Sequence, residues 1–258
     1  MKIAPVAGKP GELEISGEID YHSSEHLRSR LAAALEEHGG SITLHLERVE
    51  FIDSSGLSVL LDAVKTARAR GGHITLVRPS RQLTRVLGVS GFAPFFEMRD
   101  GGHETPPEPA QVRGADDGIR TATFEAEGRP ENISALRKSV VKFAEGLPLT
   151  QQELDDLKLA VGEATCNALR YGCPTGNETI HVTCTREGNR FSVRVTDPGP
   201  GFDPESIPQV SQGELAEGGR GIFFMRCLMD EVNFLFSGGT TVELVKYLPE
   251  PAQDGEGI

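Results

Sequence analysis

Hydrophobic positions in the first 99 residues follow two periods in turn. Alternation with period two predicts half-buried strands at 12–16, 41–46 and 73–77. Helical spacing predicts a helix after an N-cap at Ser23-Ser24, a second helix that follows Asp53 and ends at Gly71-Gly72, and a short helix over 81–87. Because strands alternate with helices, this segment is expected to adopt an α/β layered fold.

The segment 119–249 places its first helices before its strands. Helical spacing covers 133–145 and 151–171, and strands are predicted at 179–185 and 190–196. A helix at 221–229 then precedes closing strands at 231–236 and 241–247. Helices grouped before a run of strands predict an α+β sandwich, with helices on one face of a mixed sheet.

A stretch without a periodic apolar pattern separates the two segments. Residues 100–118 are rich in glycine, proline and acidic residues, which is typical of a flexible linker. We therefore expect two domains, 1–99 and 119–249, joined by this linker and followed by a tail at 250–258.

Composition narrows the class of protein. The formal net charge of -12 argues against a nucleic-acid or anionic-membrane partner, since both require clustered lysine and arginine. The four cysteines form no C-x-x-C pair, which favours buried reduced thiols over a metal site. Apolar runs fall short of the ~20 residues of a membrane helix, and the N-terminus lacks a signal-peptide pattern, so a cytoplasmic location is expected.

Two polar residues lie four apart on the helix predicted over 151–171. Glu163 and Asn167 therefore share one helix face. A carboxylate beside an amide oxygen suits a polarised hydroxyl and Mg²⁺, which prefers oxygen ligands and keeps several waters. The same spacing is also common on a solvated helix face, so it is not specific alone.

Two glycine-rich loops follow. In Asp197-Pro-Gly-Pro-Gly201 a carboxylate can accept a hydrogen bond from an exocyclic amine, and the glycines let the backbone approach a flat ligand. Gly219-Arg-Gly221 opens a helix, where exposed N–H groups suit phosphate oxygens. Each loop alone is also typical of an ordinary turn, and the P-loop pattern is absent.

The order of these pieces resembles the GHKL ATPase superfamily. A Glu-x-x-x-Asn helix, an Asp-x-Gly-x-Gly loop, a Gly-x-Gly helix start and Gly239-Thr-Thr241 follow one another over residues 120–248. The run from Glu217 to Val232 is similar to the anti-sigma factor serine kinases of bacteria. This resemblance implies a GHKL (Bergerat) α/β sandwich with protein-serine kinase activity, and ATP and Mg²⁺ as cofactors.

The resemblance also implies roles for the matching residues. Glu163 would act as general base, Asn167 would hold Mg²⁺, and Asp197 would read the adenine amino group. The remaining nucleotide contacts would come from the base pocket, the lid and the adenine side: Gly199, Gly201, Gly219, Gly221 and Thr241.

Two positions depart from the family pattern. Tyr171 stands where members often carry histidine, and Glu217-Gly218 stands where some have a basic residue before the lid. Arg220, inside the lid, would supply that charge to the phosphates instead.

The turn Phe51-Ile-Asp-Ser-Ser-Gly-Leu57 joins a strand to a helix. Serine is a common N-cap there, but a phosphate on such a hydroxyl would also be stabilised by the helix dipole. With Gly17-Glu-Ile-Asp20 and Leu87-Gly-Val-Ser-Gly-Phe92, the turn resembles the STAS domain of anti-sigma factor antagonists over residues 1–98. That resemblance implies phosphorylation of Ser55, with Ser54 as the alternative.

The two resemblances together predict a partner-switching protein. Its kinase domain would phosphorylate a STAS domain, in cis or in trans, and so control a partner such as a sigma factor. A homodimer is expected. The alternative is a scaffold that binds ATP without catalysis. None of the seven histidines lies in a phosphoacceptor pattern, which argues against a two-component histidine kinase.

Overall fold

The computed structural model describes residues 1–99, 118–202 and 219–249. The predicted linker, except its last residue, the predicted tail and Glu217 lie outside these ranges. The described residues form two compact units, and each contains one five-stranded sheet.

The first unit is a layered α/β domain. Its sheet has the order β1-β2-β3-β4-β5, with β1 antiparallel to β2 and the other neighbours parallel. The strands are β1 (Lys2–Pro5), β2 (Glu12–Ile19), β3 (Ile42–Ile52), β4 (Ile74–Val77) and β5 (Glu97–Arg99). The helices are α1 (Tyr21–Glu37), α2 (Ser54–Ala69) and α3 (Arg81–Ser90). The predicted α/β class is confirmed.

The start of α1 corrects one prediction. Asp20, rather than Ser23, is the N-cap. Its carboxylate accepts a hydrogen bond from the Ser23 N–H (3.1 Å), and the Ser23 hydroxyl accepts one from the Asp20 N–H (2.9 Å). Such a reciprocal capping box satisfies two backbone donors at once, which favours Asp20 over a cap three residues further along.

The second unit carries helices on one face of its sheet, as predicted. Its strands have the order β6-β7-β8-β10-β9 and all described pairs are antiparallel, where a mixed sheet was expected. The strands are β6 (Arg120–Glu127), β7 (Thr179–Glu187), β8 (Arg190–Asp197), β9 (Glu231–Phe236) and β10 (Thr240–Tyr247). The helices are α4 (Pro130–Ala144) and α5 (Gln151–Asn167), together with the part of α6 (Arg220–Leu228) from Met225 onward.

The side chains of this sheet explain which face the helices cover. Phe191 of β8 stacks on Phe143 of α4, with ring centroids 6.0 Å apart. Residues of β8 that share the side of Phe191 are Val193, Val195 and Asp197, and all of them are buried. Since residues two apart point to the same face of a strand, Asp197 lies on the helix-covered face.

Two further features of the described residues are the exposure of the cysteines and the length and hydropathy of the helices. Cys166, Cys173 and Cys184 are buried free thiols, as expected, but Cys227 is exposed. No helix among the described residues combines the length and the apolar character needed to cross a membrane.

Candidate functional site

The carboxylate of Glu163 lies inside the second unit. It is only 1% exposed, one helical turn before the half-buried Asn167. Helix α5, which carries both, packs on β8 and β10. Its start is fixed by a capping box between Thr150 and Glu153. The spacing of Glu163 and Asn167 alone would also allow a solvated helix face. The burial of Glu163 rules out that interpretation.

Beyond Asn167 the helix widens. The prediction extended α5 to Tyr171, but residues Ala168–Gly172 form a π-helical turn. Such turns are rare in proteins, and many of those that do occur lie at functional sites. Tyr171 is 64% exposed, and the guanidinium of Arg170 lies 5.4 Å from the centre of its ring.

Three glycines pack around Asp197 at the end of β8. A Cβ atom on Gly172 would lie 2.1 Å from Asp197 Oδ1, and one on Gly199 would lie 2.7 Å from it. A Cβ on Gly239 would lie 2.4 Å from the Asp197 carbonyl oxygen. No side chain fits at these three positions, so the backbone of Gly172 and Gly199 closely approaches the carboxylate, and that of Gly239 approaches the Asp197 carbonyl oxygen. Sequence reasoning missed Gly172 and did not assign Gly239 a place beside Asp197.

The electrostatics of Asp197 follow from this packing. Burial raises the pKa of its carboxyl, and a hydrogen bond from the Gly199 N–H (2.8 Å) opposes that rise. The neighbouring Cys173 responds to the same surroundings. Burial, followed by the negative charges of Asp197 and Glu178, raises the pKa of the Cys173 thiol to about 11. The thiol is therefore protonated at neutral pH and is a poor nucleophile.

The described part of the loop after Asp197 packs against an aromatic cluster. Gly201 has a φ of 81°, which favours glycine, and a Cβ there would lie 2.9 Å from Cδ1 of Phe236. Phe202 makes edge contacts with Phe234 and Phe236 of β9, at centroid distances of 5.3 and 5.4 Å. These rings attach the glycine loop to an edge strand, a role that the sequence pattern did not show.

Register distinguishes the two threonines of β10. Thr240 pairs with Asp197 and is buried, so both lie on the helix-covered face. Thr241 pairs with Thr196, and their hydroxyl oxygens are 2.9 Å apart on the opposite face. The residue beside Asp197 is therefore Thr240, whereas Thr241 was predicted to close the adenine side.

The described part of the predicted lid begins at Gly219. Its φ of 75° favours glycine, and its carbonyl oxygen accepts a hydrogen bond from the Phe223 N–H (3.0 Å). Arg220 and Gly221 form the first turn of α6, as predicted. The site residues of the second unit thus come from α5 and the ends of β8 and β10, whereas Gly219, Arg220 and Gly221 group with the first unit.

In the first unit, Asp53 organises the turn that carries the two serines. Its Oδ1 accepts hydrogen bonds from the N–H groups of Ser55 (2.9 Å) and Gly56 (3.0 Å), and its Oδ2 accepts one from Tyr21 (3.1 Å). The carboxylate is 3% exposed and caps α2. Ser54 and Ser55 are half-buried in the first turn of α2, where the helix dipole favours a negative group.

The donor set limits which metal the site suits. Among the described residues, no group of three or more histidine, cysteine, aspartate or glutamate side chains is placed to hold an ion. Asn167 instead offers one amide oxygen. That arrangement fits a cation which takes most of its ligands from phosphate and water, as Mg²⁺ does.

Comparison with known proteins identifies both units. Residues 126–246 match the histidine kinase-like ATPase domain and residues 3–104 match the STAS domain. Serine-protein kinase RsbW of Bacillus licheniformis is 31% identical over 147 residues, which cover 52% of this chain and 91% of the relative. The chain belongs to the RsbW family of serine-protein kinases. The predicted pairing of a STAS domain with a GHKL-type ATPase domain is confirmed.

Other relatives agree with the RsbW assignment. RsbW of Bacillus subtilis is 32% identical over 129 residues, which cover 46% of this chain and 81% of the relative.

A solved structure of the anti-sigma factor antagonist SpoIIAA in its unphosphorylated form is 24% identical. The match covers 40% of this chain and 92% of the SpoIIAA chain, with a TM-score of 0.32.

Alanine at Gly172 is expected to weaken ATP binding to this chain by at least about fivefold. The added Cβ would displace the Asp197 carboxylate, and overpacking of this kind costs about 1–3 kcal/mol. Isothermal titration calorimetry with ATP measures the effect. Gly146→Ala is the matched control, because the nearest atom to its Cβ would be 3.5 Å away. Equal affinities of the two variants would show that Gly172 does not border the nucleotide.

Proposed function

We propose that this chain is a partner-switching regulator whose C-terminal domain binds Mg²⁺-ATP and phosphorylates a serine on a STAS domain. The acceptor is its own STAS domain or that of another chain. Phosphorylation then controls the release or capture of a sigma factor or a similar partner. The observation that carries this proposal is the buried carboxylate of Glu163, one turn from Asn167. A scaffold that only binds ATP does not need a base there.

Each side chain has a defined task in the transfer. The Glu163 carboxylate takes the proton of the serine hydroxyl while that oxygen bonds to the γ-phosphorus and the bond to the β-phosphate oxygen breaks. Asn167 would hold the metal through its amide oxygen, and Mg²⁺, when bound, would supply positive charge to the phosphate oxygens. Asp197 accepts a hydrogen bond from the adenine amino group, with Gly199 and Gly201 shaping the base pocket.

The lid and the acceptor complete the assignment. Gly219 and Gly221 leave the backbone of the lid open to the phosphates, and Arg220 offsets their charge. Ser55, with Ser54 as the alternative, receives the phosphoryl group at the first turn of α2. A phosphate there adds about -1.5 to -2 charges at the positive end of the helix and so changes the surface offered to a partner.

The setting of this activity is part of the same proposal. We place the chain in the cytoplasm as a homodimer that binds STAS-domain proteins and a sigma factor. The net charge of -12 supports the absence of direct contact with nucleic acid or an anionic membrane.

Intact-mass spectrometry of the full chain tests the proposal. Incubation with Mg²⁺-ATP is expected to add one phosphate per chain, and addition of EDTA with ATP is expected to prevent it. A rate per chain that does not change with protein concentration indicates transfer in cis, whereas a rate that rises with concentration indicates transfer between chains. A chain that acquires no phosphate at any concentration would contradict the proposal.

A further inference from the structure

Strand β3 extends well past its neighbour β4. The two strands pair only from Ile42 with Ile74 to His45 with Val77. On its other side, β3 pairs with β2 as far as Ile52 with Ile19. The last residues of β3 therefore lack a strand partner on the β4 side within the described residues, although buried backbone groups there require hydrogen bonds.

The side chain of Gln82 occupies this place at Ile52. The Ile52 N–H donates to Gln82 Oε1 at 2.9 Å, and Gln82 Nε2 donates to the Ile52 carbonyl oxygen at 3.5 Å. Gln82 is 7% exposed and lies in the first turn of α3, where Ser80 is the N-cap. One buried amide group thus makes both hydrogen bonds that the peptide group of a neighbouring strand would make.

The residue that Gln82 holds comes directly before the phosphoacceptor turn. On the opposite side the Asp53 N–H donates to the Ile19 carbonyl oxygen at 3.1 Å. The start of the turn is therefore hydrogen-bonded to β2 on one side and to Gln82 of α3 on the other. We infer that Gln82 is a positioning residue for phosphorylation: it fixes Ile52, and through Ile52 the Asp53-Ser54-Ser55 turn, so that one serine hydroxyl is presented for transfer. This inference rests on the proposed function.

Transfer is sensitive to such placement. A misplacement of the reacting groups by about 1 Å can lower a rate about 10²-fold, even when the altered residue is remote from the chemistry. The choice of acceptor also depends on this placement, because Ser54 and Ser55 follow one another in a single helical turn. A turn that is free to shift would present either hydroxyl.

Replacement of Gln82 by methionine in the full chain tests the inference. Methionine keeps the length of the side chain and removes both hydrogen bonds. Single-turnover phosphorylation at saturating Mg²⁺-ATP is expected to be about tenfold slower, with ATP affinity unchanged. Fragmentation mass spectrometry is expected to find the phosphate shared between both serines, whereas the wild type carries it on one. Thr84→Met, on the exposed side of the same helix, is the matched control and is expected to match the wild type.

Amide hydrogen exchange makes the outcomes separable. In Gln82→Met, the amides of Ile52, Ser55 and Gly56 are expected to exchange faster while the melting temperature stays close to that of Thr84→Met. If wild type is phosphorylated and Gln82→Met has the same rate and the same serine, the inference is overturned. If wild type acquires no phosphate, the proposed function fails, and unchanged exchange at these amides would overturn the positioning role as well. Should Gln82→Met not fold, Gln82→Glu, which keeps the acceptor for the Ile52 N–H and removes the donor to the Ile52 carbonyl oxygen, replaces it in the measurements of rate and of the phosphorylated serine.

Discussion

Glutamine at position 163 is expected to slow phosphoryl transfer by a factor of about 10²–10⁴, the range for loss of a general acid–base group. Glutamine has the shape of glutamate but cannot take the proton of the serine hydroxyl. ATP affinity is expected to change by less than about threefold, because Asp197, Asn167 and the pocket glycines stay in place. The rate is measured by single-turnover transfer from radiolabelled ATP to the full chain, and the affinity by calorimetry.

The matched control is the same substitution at an exposed carboxylate. Glu145 lies at the end of α4 and is exposed, so Glu145→Gln is expected to leave both quantities unchanged. A normal transfer rate in Glu163→Gln would show that another group accepts the proton. A parallel loss of affinity and melting temperature would instead show that the buried carboxylate supports the fold. Retention of all signalling output without transfer would favour the scaffold hypothesis.

Helix periodicity explains why the proposed catalytic pair, Glu163 and Asn167, could be selected from the sequence. Glu163 and Asn167 share a face wherever a regular helix holds them, so their spacing alone fixes their relation. The burial of Glu163 was not predictable, because it depends on α5 packing against β8 and β10, which are distant in sequence. The order of the motifs predicted the fold class, whereas the buried environment of Glu163 depends on tertiary packing.

Strand pairing explains most of what was missed. Whether Thr240 or Thr241 faces Asp197 depends on the register between β8 and β10, which a single strand cannot reveal. Gly172 lies beside Asp197 only because a π-helical turn ends α5, and no glycine pattern marks that turn. Gln82 was invisible for a related reason, since its partner Ile52 belongs to another element.

Short and edge elements were the other source of error. β1 and β5 contain four and three residues, too few for a period-two pattern to stand out. β6 is different, because its half-buried Ala122, Phe124 and Ala126 alternate with exposed residues and the signal was present in the sequence. Its position next to the predicted linker concealed it, and recognising that alternation would have given the sheet its fifth strand.

Alanine at Ser55 is expected to abolish phosphorylation of the chain, whereas Ser54→Ala is expected to leave it within about threefold of wild type. Neither change removes the cap of α2, because Asp53 caps the helix by accepting hydrogen bonds from the backbone N–H groups of Ser55 and Gly56. Loss of phosphate in Ser55→Ala therefore reports the loss of the nucleophile rather than of the helix. Intact-mass spectrometry after incubation with Mg²⁺-ATP measures the result, and Ser24→Ala, at a half-buried position of α1, is the control.

The same variants separate the two serines and test the switch. If Ser54→Ala, and not Ser55→Ala, removes the phosphate, Ser54 is the acceptor. If a variant that carries both Ser54→Ala and Ser55→Ala is still phosphorylated, the acceptor lies outside this turn and the role assigned to the STAS domain is wrong. Ser55→Asp places a carboxylate at the start of α2, where it imitates part of the charge of a phosphate. Pull-downs with Ser55→Ala and Ser55→Asp in ATP and ADP should then capture different partners, because a kinase–STAS interface that closes on a neutral hydroxyl must desolvate the added charge.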